Sequence, residues 1–169
     1  VSDDGRKLAW TEDTVGRRQY TLRFKNLATG QTLPDKVENV EASLAWAADS
    51  RTVLYVEKDP VTLLGLRVRK HVVGTDPKSD ALVYEQDDPS FYTSVYTTRD
   101  DRYVVIYAES TVSSEMRYAD SADPELGFQV FLPRERDHEY QAEHFDGRWI
   151  IRTNWQAKNF RLMEVQAGE

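Results

Sequence analysis

The chain has no cysteine, which excludes disulfides and thiolate metal sites and agrees with a cytoplasmic setting. Histidine is scarce as well, with only His71, His138 and His144. No apolar run approaches the ~18 residues of a membrane-crossing helix. Nor is there a basic run able to follow a phosphate backbone. With 22 basic and 29 acidic side chains the 169 residues carry a net charge of −7, which argues against nucleic acid or an anionic membrane as partner. The first residues show no signal-peptide pattern. Val1 opens the chain inside a turn-forming phrase, so a preceding segment is expected.

The motifs of catalysis are missing too. There is no Gly-x-Ser-x-Gly string of the kind that places a nucleophilic serine on a strand-to-helix elbow. His138-Glu139 lacks the second histidine of a zinc-binding helix, because position 142 is Ala. On an extended strand His138 and His144 share a face but stand roughly 20 Å apart, too far to hold one metal. Asp3-Asp4, Asp87-Asp88 and Asp100-Asp101 are too short for a calcium loop, which needs carboxylates at alternating positions and a closing Glu. No catalytic residue, metal ligand or cofactor ligand is assigned.

What the chain does contain is a repeated phrase: Asp4-Gly5-Arg6-Lys7, Asp49-Ser50-Arg51-Thr52, Asp100-Asp101-Arg102-Tyr103 and Asp146-Gly147-Arg148-Trp149. The four leading aspartates stand 45, 51 and 46 residues apart. Asp and Gly favour tight turns, through side-chain bonds to backbone N–H groups and through tolerance of positive φ. Each phrase runs into β-forming residues, such as Val53-Leu54-Tyr55-Val56 and Val104-Val105-Ile106-Tyr107. Strands and turns recurring every 40–50 residues are the mark of β-propeller blades.

The expected fold is therefore all-β, a partial propeller of four-stranded antiparallel blades. The turn phrase joins the first and second strands of each unit. Third strands are expected over 18–27, 64–73, 114–119 and 159–165, and outermost strands over 32–33, 81–84 and 128–132. Innermost strands are expected over 42–46, 91–97 and 138–143. The third strand of the second unit alternates Leu66, Val68 and Lys70 with Arg67, Arg69 and His71, which reads as one apolar and one polar face. The units fall at about 1–40, 41–88, 89–137 and 138–169. They hold three, four, four and three strands, or three and a half blades, and closed propellers need about 4–8.

Trp10, Trp46 and Trp149 lie in or beside predicted inner strands and are expected to fill space between neighbouring sheets. Trp155 instead sits in a connection. The connections between second and third strands are 12–18, 57–62, 109–113 and the Trp155 segment, and strand parity brings them to one rim. Function tends to reside on loops held by a rigid scaffold. Arg17, Arg18 and Trp155 are thus candidate contacts with another domain, the arginines because a guanidinium pairs bidentately with carboxylates.

Several longer strings are specific. Arg17 to Leu27 followed by Ala28-Thr29-Gly30, Glu57 to Leu64, Val130 to Tyr140, and Lys158-Asn159-Phe160 resemble the propeller of the oligopeptidase B branch of the prolyl oligopeptidase family of serine peptidases. The resemblance runs in order over essentially the whole chain. It departs at Asp3, where such a repeat commonly has Pro. It implies a seven-bladed parent propeller and an α/β-hydrolase domain of the same parent chain, absent here, as partner. It further implies cleavage of short peptides after Arg or Lys, with the propeller limiting access. None of the catalytic triad maps onto these residues, so the 169 residues by themselves are expected to be inert. The alternative is a propeller scaffold for protein–protein interaction without peptidase activity. Half-blades leave strand edges and apolar faces uncovered, so self-association of the truncated propeller is also expected.

Overall fold

The computed structural model describes residues 1–166. The turn signal at Gln166-Ala167-Gly168 therefore lies largely outside the described residues. Thirteen strands are present among them: β1 (Lys7–Glu12), β2 (Tyr20–Asn26), β3 (Thr32–Trp46), β4 (Thr52–Lys58), β5 (Gly65–Val72), β6 (Ala81–Glu85), β7 (Tyr92–Thr97), β8 (Tyr103–Glu109), β9 (Ser114–Asp120), β10 (Gln129–Leu132), β11 (Tyr140–Phe145), β12 (Arg148–Thr153) and β13 (Arg161–Gln166). They form three sheets, ordered β1 through β6, β10-β9-β8-β7, and β11-β12-β13.

The turn phrases form as their residues require. In the first three, backbone hydrogen bonds close equivalent loops from Ser2 to Lys7, Ala47 to Thr52 and Thr98 to Tyr103. The residue after the Asp is Gly5, Ser50 or Asp101, and each has a φ between 56° and 70°. The Asp carboxylate accepts the backbone N–H two residues on, from Arg6, Arg51 and Arg102. The fourth phrase is tighter. His144 pairs with Trp149 and Phe145 with Arg148, leaving only Asp146 and Gly147 in the loop, both at positive φ. That is the type I′ hairpin favoured by Asp-Gly.

Strand alternation explains how the units stack. In β4, Val53 and Tyr55 belong to the core between the first and second units, and Leu54 and Val56 to the core between the second and third. In β8, Val104 and Ile106 face the second unit and Val105 the fourth. Period two thus survives inside a continuous apolar run because both faces of each sheet are covered. Trp46 and Trp149 lie in these cores, while Trp10 is half-buried.

Two expectations are corrected. The outermost strand of the first unit and the innermost of the second are a single strand, β3, giving thirteen strands where the turn count suggested fourteen. Its first part pairs with β2 and its last with β4, and Val40 opposes both Tyr20 and Glu57. The strand changes direction at Asn39, whose φ is +60°, and asparagine tolerates that conformation. No glycine or proline announces the bend. The second correction concerns the polar face of β5. His71 is fully buried there, opposite Val53, because that face packs on the first unit.

Candidate functional site

The connections β1–β2, β4–β5, β8–β9 and β12–β13 emerge at the rim opposite the Asp phrases, each between the two strands of a hairpin. Three share one construction. Asp13 Oδ1 accepts the N–H of Val15 at 3.0 Å, Asp59 Oδ1 that of Val61 at 2.9 Å, and Ser110 Oγ that of Val112 at 3.4 Å. These are Asx and Ser turns, in which a short polar side chain substitutes for backbone. Backbone N–H donors hold the carboxyls of Asp13 and Asp59 below the usual range, led by Arg18 and Thr62 respectively.

The consequence is a row of apolar tips. Val15 is 73% exposed, Val61 87% and Val112 44%, and Trp155 in the fourth connection is 47% exposed. The recurring Asp/Ser-x-Val was in the sequence, but loop hydrophobics carry no periodic signal. Comparing the connections position by position would have found it.

Arg17 and Arg18 lie exposed on the first of these loops. Arg18, at φ +57°, donates its backbone N–H to Asp13 Oδ2 at 2.7 Å, and its carbonyl accepts Lys58 Nζ at 2.7 Å. Lys58 is buried and also pairs with Glu41 Oε1 at 3.3 Å. Asn39 Nδ2 donates to the Lys58 carbonyl at 2.8 Å. The backbone of the arginine loop is thereby anchored, while both guanidinium groups lie exposed with no ion-pair partner among the described residues.

Trp155 lies on the same rim, but on the fourth unit rather than the first. It lines an open groove of about 420 Å³ with the apolar Leu132, Pro133, Ile151 and Met163 and the polar Glu135, His138 and Thr153. The Arg161 guanidinium stands 4.6 Å over the indole. His138 precedes β11 rather than lying on it, and its Nε2 is 3.0 Å from Thr153 Oγ1. The groove's surface is mainly apolar, with Glu135, His138 and Thr153 as its polar groups, an arrangement suited to an apolar side chain with a polar group to orient it. His144 is elsewhere, buried against Trp149 and the Asp100 carboxylate.

Antiparallel sheets stacked face to face, with loops gathered on two rims, define an open segment of a β-propeller. A family model described as the prolyl oligopeptidase N-terminal β-propeller domain matches residues 1–169, and the chain belongs to that family. It is 56% identical over 164 residues to dipeptidyl aminopeptidase BI of Pseudoxanthomonas mexicana, covering 96% of this chain and 22% of the relative. It is 28% identical over 171 residues to Protease 2 of Moraxella lacunata, covering 100% of this chain and 25% of the relative. Among solved structures, oligopeptidase B from Leishmania major superposes with a TM-score of 0.89 at 27% identity, over 96% of this chain and 23% of that one. The chain thus spans about a quarter of the length of these proteins.

Proposed function

We propose that these residues form part of the gating propeller of a serine oligopeptidase, limiting access to a catalytic α/β-hydrolase domain elsewhere in the same parent chain. In this reading the parent hydrolyses short peptides after Arg or Lys in the cytoplasm, and the 169 residues themselves supply no catalytic group. The observation carrying it is the likeness to the family's propeller over the entire chain. The rim of apolar tips, with Arg17 and Arg18 at one end and the Trp155 groove at the other, is the face offered to that domain.

The test uses the full-length parent. It should cleave a short Arg-containing peptide and leave an unfolded protein with the same cleavage sequence intact. Equal cleavage of both would remove the gating role.

A second reading is favoured by the 56% identity to a dipeptidyl aminopeptidase: release of dipeptides from free N-termini. Blocking the peptide's N-terminus distinguishes the two, since only dipeptide release would stop. A scaffold without peptidase activity would leave both peptides whole.

A further inference from the structure

Away from the rim, a second buried histidine makes contacts unlike those of His144. His71 on β5 is completely buried, and both its ring nitrogens meet carboxylates. Nε2 is 2.7 Å from Asp35 Oδ2 and Nδ1 is 2.8 Å from Asp80 Oδ1. A neutral imidazole has one N–H and one lone pair, so one of these contacts would set a lone pair against a carboxylate. With both carboxylates ionised, only the imidazolium satisfies both contacts. The surroundings fix the two carboxylates in place. Asp35 Oδ2 also accepts the Gly74 N–H at 2.7 Å, and Asp80 Oδ2 accepts the Tyr55 hydroxyl at 2.9 Å.

The charged and titratable groups around the ring come from every element that packs there. Asp35 belongs to β3, Tyr55 to β4 and Arg69 to β5, while Asp80 immediately precedes β6. Arg69 donates to the Asp80 carbonyl at 3.2 Å and pairs with Glu57. From β2, the Phe24 ring lies 5.3 Å from the imidazole, centroid to centroid. Burial lowers the His71 pKa, but the bonds to Asp80 and Asp35 outweigh it and leave the value raised.

Asp35 belongs to the outer strand of the first unit, whereas His71 and Asp80 belong to the second. We propose that the Asp35–His71–Asp80 cluster is a proton-dependent latch joining the two units, closed by imidazolium and released when the ring loses its proton. The sign follows from linkage. A raised folded-state pKa gives stabilisation that is complete below the unfolded value of 6.5 and is lost as pH climbs through the folded one. Over that interval the opening constant of the seam should rise about tenfold per pH unit and then level off.

Hydrogen–deuterium exchange of the full-length protein, with labelling times scaled for intrinsic exchange, tests this directly. Peptides covering Thr32–Val37 and Ala81–Glu85 should show the rise and plateau, while one from Val104–Ala108 in β8 should not. His71→Gln should abolish the pH dependence in the first two. Asp35→Asn should move the plateau to lower pH. A seam that follows the β8 peptide in the wild-type protein would overturn the latch, as would a folded His71→Gln variant that keeps the rise. Should His71→Gln fail to fold, an unmoved plateau in Asp35→Asn would overturn it equally.

Discussion

His144 Nδ1 lies 2.6 Å from Asp100 Oδ2, tying the innermost strand of the fourth unit to the turn phrase of the third. The same carboxylate accepts Thr98 Oγ1 at 2.9 Å and the Arg102 N–H at 3.2 Å. Burial raises the Asp100 pKa, but the bonds from His144, Thr98 and Arg102 outweigh it and leave it lowered from 3.8. A lowered folded pKa gives stability that is present above 3.8 and lost as pH falls through the folded value. Asp100→Asn should therefore lower stability near neutrality by about 1–3 kcal/mol, with the difference shrinking in acid. Urea unfolding from pH 7 to pH 2.5 measures this, and a gap constant across that range would contradict it.

Tyr140 closes the same seam. Its hydroxyl donates to the Leu132 carbonyl at 2.7 Å and accepts the N–H groups of Met116 at 2.8 Å and Leu132 at 3.2 Å. Tyr140→Phe leaves those backbone groups without their partner and should cost about 1–3 kcal/mol, read from denaturant midpoints. Burial pushes the Tyr140 pKa up to about 12. Its phenolate absorbance should consequently appear only well above the pH at which an exposed tyrosine ionises.

Gly65 opens β5 where a Cβ would stand 2.9 Å from both Glu41 Cγ and Val56 Cγ1. Val56 is in the core and Glu41 is held by Lys58, so neither yields easily. Gly65→Ala should destabilise by about 1–3 kcal/mol through overpacking. Calorimetry would show the effect, and an unchanged melting temperature would mean the loop beside it absorbs the added methyl.

Arg17→Ala and Arg18→Ala remove only exposed side chains, because the loop is held through the Arg18 backbone. In the full-length parent both should fold normally and change peptide turnover. Trp155→Ala should do the same from the other end of the rim. Unchanged kinetics in all three would remove this rim from domain contact.

In isolation the 169 residues should self-associate. β1 and β13 each have a free edge among the described residues, Leu162 is exposed on β13, and Phe145 is exposed on β11 at the far side of the same sheet. Light scattering should give a mass above that of the single chain, and a monomer at high concentration would refute it.

Much of this architecture can be read from residue order. The Asp phrases announce the turns, and Val53 to Val56 and Val104 to Tyr107 announce strands buried on both sides. Asn39 was opaque because its bend arises from tertiary pairing to β2 and β4, with no local breaker. His71 looked like part of a polar face because its partners, Asp35 and Asp80, lie 36 and 9 residues away. Of the candidate rim, Trp155, Arg17 and Arg18 could be named in advance. The valine tips carry no periodic signal and show in the sequence only when the connections are aligned position by position, since their exposure is decided by the Asx and Ser turns beneath them.

The unbroken β3 has a mechanical corollary. The first two units share a strand bonded to both neighbours, whereas residues 86–91 and 133–139 link the later units outside any strand. Under strain, and with the His71 latch closed, the first two should move as a single stiff plate. Hinging would concentrate at those later links.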